Sequence, residues 1–338
     1  MSASKLLLSE KYKAFLKCDA PVEFLEGTTA AGKTTVGIFK FMLKVAESPK
    51  KLHIIAADDT GTAEKNIINK DLGILDDFGI LVEYNGSGTK DDKIPHLILH
   101  TGRGDKVIYV LGYGNKRKWK KALGGQYGCL YIDEVNTADI DFVREASMRC
   151  DYLMATLNPD DPGLPVYKEY INCARPLPEW KDETPQEIIE ELKEEPKDGW
   201  IHWFFSFKDN AGLPPDKLQM ILQNTPKGTK IWKNKIQGLR GKATGLVFSN
   251  FVRKKHVVTA AWVKKQIADG KIRFDDGRFH QLHEVGVVGV FPGAGGDLQN
   301  ERSAQFLCSL SDALDDFHII DIESADGIAA LVGLLEHF

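Results

Sequence analysis

The chain has 338 residues, 43% of them hydrophobic, and its formal net charge of −4 at pH 7 excludes binding of polyanions through overall charge, so any nucleic-acid contact must be local. Five cysteines lie far apart without a C-x-x-C pair, which favours reduced thiols over a disulfide framework or a zinc site. No apolar run approaches the ~18 residues of a membrane span and the N-terminus lacks a signal-peptide core, so we expect neither membrane insertion nor secretion.

The first predicted strand, at 22–26, leads into a loop that matches the phosphate-binding pattern G-x-x-x-x-G-K-[ST] at every defined position. An amphipathic helix is predicted directly after it, at 33–45, so strand, loop and helix follow in the order that this motif requires. In such loops the N–H groups and the helix N-terminus bind phosphate oxygens, the lysine reaches the β- and γ-phosphates, and the next hydroxyl ligates Mg²⁺. We therefore predict that ATP and Mg²⁺ bind here, with Lys33 as a catalytic cation and Thr34 as a metal ligand. The predicted loop residues are Gly27, Thr28, Thr29, Ala30, Ala31, Gly32, Lys33, Thr34 and Thr35.

Strand-like and helical segments alternate through the rest of the first half. A strand is predicted at 52–57, a helix at 60–78, and two strands at 96–101 and 106–111 that flank a Gly-Arg-Gly-Asp turn. This alternation is typical of an α/β sheet, here with a hairpin insertion. The predicted fold class is therefore an α/β P-loop NTPase with a mainly parallel central sheet.

Four apolar residues followed by Asp133 and Glu134 have the form of a Walker B motif. At the end of a strand at 129–132, Asp133 would hold Mg²⁺, and Glu134 would orient and deprotonate the attacking water. A buried strand that ends in an acidic turn is the alternative. The phosphate loop upstream favours the catalytic interpretation and an ASCE-type motor ATPase.

The next predicted strand, at 152–156, is followed by Asn158 and Pro159. A polar side chain at this strand tip can hydrogen-bond the γ-phosphate or the attacking water and couple hydrolysis to movement, so Asn158 is a candidate nucleotide-binding residue. An ordinary Asn-Pro turn explains the same residues equally well.

A basic segment, KRKWKK at 116–121, precedes the Walker B strand. Three interpretations are open. The segment is a solvated loop, a loop that tracks DNA with an aromatic side chain among cations, or a loop that supplies Arg117 as an arginine finger to the ATP of a neighbouring subunit. Residue type alone favours the solvated loop.

Composition divides the second half of the chain. Acidic residues and four prolines mark 176–200 as a surface linker with a short helix at 186–194. Nine basic residues and no acidic one occur from 224 to 255, which indicates either a solvated face or a contact with a nucleic-acid backbone. The predicted domains are an ATPase core at 1–175, the linker at 176–200, an ATPase subdomain with the basic run at 201–251, and a small C-terminal region at 252–338. That last region shows weak signals for a strand at 317–321 and a helix at 327–335.

Together these motifs resemble the large terminase subunits of tailed bacteriophages and prophages, the motors that package DNA into capsids. The resemblance rests on LEGTTAAGKTTV, HIIAADDTGTAEKNI, GNKRKWKKALGGQYGCLYIDEVN, LMATLNPDDP and IQGLRGKATGLVFSNF, within residues 10–251. It implies an ATPase ring on the portal protein, a small terminase subunit that recognises DNA, double-stranded DNA as cargo, and a bacterial host cytoplasm without a membrane partner. It also implies a trans-acting arginine at Arg117, and adenine stacking by Tyr12 or Phe15.

Family members normally continue into a nuclease domain with an RNase-H-like fold, whose carboxylates hold two metals. After Phe251 we find no matching strand, and the surroundings of the acidic candidates Asp275, Asp276, Asp297 and Asp321 do not match either. We therefore expect a truncated or divergent nuclease and no DNA cleavage.

The function predicted from the sequence is an ATP-hydrolysing motor that translocates double-stranded DNA into a procapsid. Two alternatives stay open. One is a helicase-like or repair P-loop ATPase, and the other is an inactive prophage remnant that binds ATP without packaging.

Overall fold

The computed structural model describes residues 7–241 and, beyond them, residues 257–258, 265, 268–269, 272–275, 278–281, 287–288, 318–320 and 331–332. The chain divides into two compact units, Met1–Thr244 and Gly245–Phe338. The first unit holds the phosphate loop, the Walker B motif and Asn158. Within the described ranges, no helix has the length and apolar character needed to cross a membrane. The cysteines of these ranges are free thiols: Cys18, Cys129, Cys150 and Cys173.

The first unit is built on an eight-stranded sheet. Its strands are β1 Val22–Gly27, β2 Leu52–Ala57, β3 Val82–Asn85, β4 His96–Leu99, β5 Lys106–Gly112, β6 Tyr127–Ile132, β7 Cys150–Leu157 and β8 Trp200–Phe205. Their order across the sheet is β3-β4-β5-β2-β6-β7-β1-β8. The neighbours among β3, β4 and β5 pair antiparallel and all others pair parallel, which confirms the predicted mainly parallel α/β fold. Because β6, β7 and β1 are parallel neighbours, the loops after them meet at one edge, where ligands of such sheets bind.

Helices connect these strands. The α-helices are α1 Glu10–Lys17, α2 Lys33–Glu47, α3 Thr60–Ala63, α4 Ile74–Phe78, α5 Lys116–Ala122, α6 Ile140–Ser147, α7 Pro165–Glu169, α8 Gln186–Glu191 and α9 Pro215–Asn224. In the described residues, Glu64–Ile68 and Trp232–Ile236 are π-helical.

Apolar side chains form a buried core on each face of the sheet. Ile55 and Phe41 belong to one buried cluster, and Ile54 and Trp119 belong to the other. Ile54 and Ile55 are consecutive in β2, so the alternation of side chains along a strand supplies both cores. A parallel sheet is covered on both faces, which explains why these strands are nearly continuous apolar runs in the sequence.

The helix predicted at 60–78 is wrong in its middle. The segment contains α3, the π-helical Glu64–Ile68 and α4, and residues 69–73 interrupt it. Leu72 has a φ of 55°, and its N–H donates to Asp76 Oδ2 at 2.9 Å. A residue in the left-handed region ends a right-handed helix, so the chain starts a new helix after this point.

The basic segment at 116–121, which we predicted as a loop, lies within the helix α5. Trp119, Ala122 and Leu123 are buried. Their spacing gives the segment one apolar face that packs on the core. The cations between these residues obscured the apolar face in the sequence. The prediction also missed the strands β3 and β8 and the helices α1, α6, α7 and α9.

The described segments of the second unit form two three-stranded sheets. The strands are β9 Val257–Val258, β10 Ile272–Asp275, β11 Arg278–Gln281, β12 Val287–Val288, β13 His318–Ile320 and β14 Leu331–Val332. β10, β11 and β12 form one sheet, and β9, β13 and β14 form the other. The strand predicted at 317–321 contains β13, whereas the helix predicted at 327–335 is wrong at β14. Asp275 ends β10, and Asp276, Asp297 and Asp321 lie outside the described residues.

Candidate active site

The phosphate loop lies between β1 and α2, as the motif predicts. Gly27 approaches β8 so closely that a Cβ atom at this position would lie 1.7 Å from the carbonyl oxygen of Phe205. Gly32 has a φ of 90°, which also favours glycine. The backbone itself therefore requires both glycines of the motif.

Contacts from later parts of the chain hold this loop in shape. The N–H of Thr29 donates to the carbonyl oxygen of Lys235 at 2.8 Å, and Asn210 Nδ2 donates to the carbonyl oxygen of Ala30 at 2.7 Å. In the described part of the chain, no acceptor pairs with the N–H groups of residues 30–35. Unpaired donors at the start of a helix form a cradle that fits phosphate oxygens.

Lys33, the first residue of α2, is buried over the loop. Its Nζ donates to the carbonyl oxygens of Gly27 at 3.1 Å and Thr28 at 2.7 Å, and to Asn158 Oδ1 at 3.0 Å. Burial lowers the pKa of Lys33 to about 8, although nearby carboxylates oppose this shift. All three acceptors are neutral, and a charged phosphate oxygen is a stronger partner for an ammonium group.

Asp133 follows β6 and faces the start of α2. Its Oδ1 accepts hydrogen bonds from the hydroxyls of Thr156 at 2.7 Å and Tyr131 at 3.2 Å, and lies 3.3 Å from Thr34 Oγ1. Sequence analysis did not identify Tyr131 as a partner of this carboxylate, because only the strand register brings its hydroxyl there.

The oxygens of Thr34 and Asp133 also limit which kind of metal site can form here. Proteins usually hold Mg²⁺ through one or two oxygen ligands and leave the other positions to water and substrate phosphates, which the pair Thr34 and Asp133 fits. No cluster of three or more His, Cys, Asp or Glu suited to a metal occurs in the described residues. A metal at this site would therefore need the phosphates of a substrate.

Glu134 and Asn158 face each other across the ends of β6 and β7. Asn158 donates from Nδ2 to Glu134 Oε1 at 3.1 Å and from its N–H to Oε2 at 3.3 Å, and its Oδ1 accepts from Lys33. Burial and the neighbouring carboxylate of Asp133 raise the pKa of Glu134. Glu134 also has a φ of 51°, an uncommon left-handed conformation of the kind that clusters at functional sites. Asn158 thus joins Lys33 to Glu134, a contact that an ordinary Asn-Pro turn does not require.

Arg117 does not contact these residues in the described structure. It is exposed on α5. Trp119 of the same helix is buried against Phe142, with 5.5 Å between the ring centroids, so its indole is not available to stack on DNA. Trp119 therefore does not support the interpretation of this segment as a DNA-tracking loop. The action of Arg117 on a neighbouring subunit stays a prediction.

Tyr12 and Phe15 lie in the core beneath the loop. The ring of Tyr12 stacks on Phe205 at 4.2 Å, and its hydroxyl donates to the carbonyl oxygen of Ala31 at 2.8 Å. Phe15 is fully buried, with the ammonium of Lys40 over its ring. Adenine stacking by either ring is therefore wrong for this structure, because both rings are buried in the core.

The predicted basic run is not one uniform face. Arg240 is 4% exposed and donates to both carboxylate oxygens of Glu26, at 2.8 and 2.7 Å. Burial alone would raise the pKa of Glu26, but Arg240 and His202 outweigh it and hold this pKa at about 2. Lys230 pairs with Asp160 at 2.5 Å. A solvated or DNA-binding role is thus wrong for Arg240, and Lys230 already has an ion-pair partner. Residues of the basic run after 241 lie outside the described residues.

Comparisons with known proteins identify the fold. No family model and no curated protein matches the chain. The large terminase of a thermophilic bacteriophage matches with a TM-score of 0.54 at 21% identity, over 75% of this chain and 58% of that one. Its complex with ADP gives a TM-score of 0.52 at 19% identity, over 84% of this chain and 66% of that one. The large terminase ATPase domain of Thermus phage P74-26 gives 0.50 at 10% identity, over 69% of this chain and 94% of that domain.

This chain therefore spans 58% of the length of the first phage terminase but nearly all of the isolated ATPase domain. At these identities the likeness concerns the fold. The chain has the fold of the ATPase domain of large terminase subunits, as the resemblance of its motifs indicated.

Proposed function

We propose that this chain is the ATP-hydrolysing motor subunit of a phage terminase, which translocates double-stranded DNA into a procapsid. The observation that carries the proposal is the position of Asn158, whose side chain contacts both Lys33 and Glu134. A lysine for the phosphates, a carboxylate for the water and a polar side chain that contacts both are the parts with which a motor couples hydrolysis to movement.

Each residue has a defined task in this proposal. The unpaired N–H groups of residues 30–35 bind phosphate oxygens, and Lys33 exchanges its carbonyl acceptors for oxygens of the β- and γ-phosphates. Thr34 and Asp133 would hold Mg²⁺, which when bound neutralises phosphate charge. Glu134 takes the proton of the attacking water, and its raised pKa makes it a stronger base than an ordinary glutamate.

The terminase fold favours a packaging motor over other P-loop ATPases. The chain covers 94% of a phage terminase ATPase domain, and solved complexes of a phage terminase with ADP and ATP-γ-S support ATP as the substrate here. The same resemblance extends the proposal to a ring of subunits on the portal protein, a small terminase subunit and the cytoplasm of a bacterial host. Arg117 would act on the neighbouring subunit of that ring.

The test is ATP hydrolysis measured with and without double-stranded DNA. We expect activity that DNA stimulates in the wild type and its loss in Lys33→Ala, because no other side chain of the loop can neutralise β- and γ-phosphate charge. Lys217→Ala, an exposed lysine on α9, is the matched control. Turnover by Lys33→Ala at the wild-type rate would overturn the site.

Packaging is then measured by the filling of procapsids in the presence of the portal protein and the small subunit. Separation of the strands of a forked duplex would favour a helicase instead. ATP binding without DNA packaging would favour an inactive remnant.

A further inference from the structure

A cavity of about 280 Å³ opens beside Glu134. Glu134, Asn158 and Asp160 line it from the sheet edge, and Lys230, Asn234 and Lys235 line it from the segment around Trp232–Ile236. Asn234 is 5% exposed, and in the described residues its Oδ1 has no hydrogen-bond partner. A cavity of this size with several polar side chains in its lining admits several waters or a tetrahedral oxyanion with water.

Lys235 is tied to the phosphate loop through its backbone. Its carbonyl oxygen accepts the N–H of Thr29 at 2.8 Å. The residue belongs to the π-helical segment Trp232–Ile236, and such segments often occur at functional sites. The bond to Thr29 holds the base of the Lys235 side chain next to the loop whether or not the side chain itself is changed.

Lys235 also differs from Lys230, the other cation named in the cavity lining, in its ion pairing. Lys230 is paired with Asp160, whereas no carboxylate in the described part of the chain lies within ion-pair distance of Lys235. The charge of Lys235 acts on both Lys33 and Glu134, because it lowers the pKa of each. Lys235 is exposed, and an ammonium group without a carboxylate partner in the lining of the cavity beside Glu134 is suited to bind an anion there.

We propose that Lys235 contacts the terminal phosphoryl group of the nucleotide bound by the same subunit, and that the cavity holds this group and the attacking water next to Glu134. This inference rests on the proposed function, and it adds to it a phosphate contact that the same subunit supplies. An ammonium group can serve the γ-phosphate before cleavage and inorganic phosphate after it, since both present the same oxygens. The role differs from that predicted for Arg117, which acts on a neighbouring subunit.

The experiment compares the affinities of ATP-γ-S and ADP for the wild type, Lys235→Ala, Lys235→Arg and the control Lys217→Ala. A hydrogen bond to a charged group predicts that Lys235→Ala weakens ATP-γ-S binding roughly 10- to 100-fold. ADP affinity stays unchanged, because ADP lacks the contacted group, and Lys235→Arg retains most of the ATP-γ-S affinity. Binding of inorganic phosphate to the ADP-bound protein distinguishes the γ-phosphate of the nucleotide from the phosphate product. If Lys235→Ala loses this binding, Lys235 contacts the product as well. If the variant retains it, the contact is restricted to the triphosphate.

Three results would overturn the assignment. An equal loss of ADP and ATP-γ-S affinity means that Lys235 only supports the loop. Unchanged nucleotide affinities together with weaker binding of double-stranded DNA mean that Lys235 belongs to a DNA contact. A wild-type protein that binds neither nucleotide refutes the proposed function itself, and the Lys235 contact with it.

Discussion

Replacing Asn158 by Ala removes two side-chain hydrogen bonds to charged groups, one of 3.0 Å from Lys33 Nζ and one of 3.1 Å to Glu134 Oε1. The backbone bond to Glu134 Oε2, at 3.3 Å, is retained. A hydrogen bond to a charged group contributes about 1.5–3 kcal/mol, and water can enter the vacated space, so we expect a loss of about 3 kcal/mol for the two bonds. Because the two bonds orient Lys33 toward the reacting phosphate and Glu134 toward the attacking water, kcat falls roughly 100-fold.

The assay is steady-state ATP hydrolysis as a function of pH. The Asn158 side chain donates to the carboxylate of Glu134, so its loss raises the pKa of this carboxyl further and moves the acidic limb of the kcat profile to higher pH. Asn158→Asp moves this limb further still, because it adds a negative charge beside Glu134 to that of Asp133. Asn224→Ala, an exposed asparagine at the end of α9, is the matched control and leaves the profile unchanged.

A wild-type kcat in Asn158→Ala, with an unshifted pH profile, refutes the coupling role of this residue. A lower kcat with an unshifted profile shows that Asn158 affects only the position of Lys33. Melting temperatures measured on the same preparations separate both outcomes from unfolding.

The remaining predictions concern the base, the buried ion pair and the arginine. Glu134→Gln abolishes hydrolysis but keeps ATP binding, and it raises the melting temperature at neutral pH. The pKa of Glu134 in the folded state lies above its unfolded value, so ionisation of Glu134 lowers the stability of the wild type as the pH rises through the folded pKa. The gain in melting temperature of Glu134→Gln therefore vanishes at acidic pH, where the wild-type carboxyl is protonated. An equal gain at acidic pH contradicts this explanation. Arg240→Met leaves Glu26 buried without its ion-pair partner and lowers the free energy of unfolding by about 3–5 kcal/mol, which denaturant titration measures and Glu26→Gln in the same chain partly restores. Mixing Arg117→Ala with Lys33→Ala subunits restores part of the ATPase activity if the arginine acts in trans, whereas a wild-type rate for Arg117→Ala alone excludes the finger.

Local patterns in the sequence were sufficient to predict the strand, loop and helix around residues 27–35 and the strand that precedes Asp133. Both motifs lie within a single strand and the loop that follows it, and the need for glycine at Gly27 and Gly32 is a property of the backbone there. The buried parallel strands were recognisable because they are covered on both faces and therefore apolar throughout. Helix α5 was missed because its apolar face is interleaved with cations.

Only the tertiary structure decided which of these motifs meet. Lys33 and Asn158 are 125 positions apart, and Glu26 and Arg240 are 214 apart. Parallel pairing of β1 with β7 and of β7 with β6 brings the first pair together with Glu134 at one sheet edge. The periodicity of a sequence indicates how one segment is buried, whereas the pairing of distant strands depends on the packing of the whole chain. For this reason the contacts of Asn158, Arg240 and Lys235 could be identified only in the folded protein.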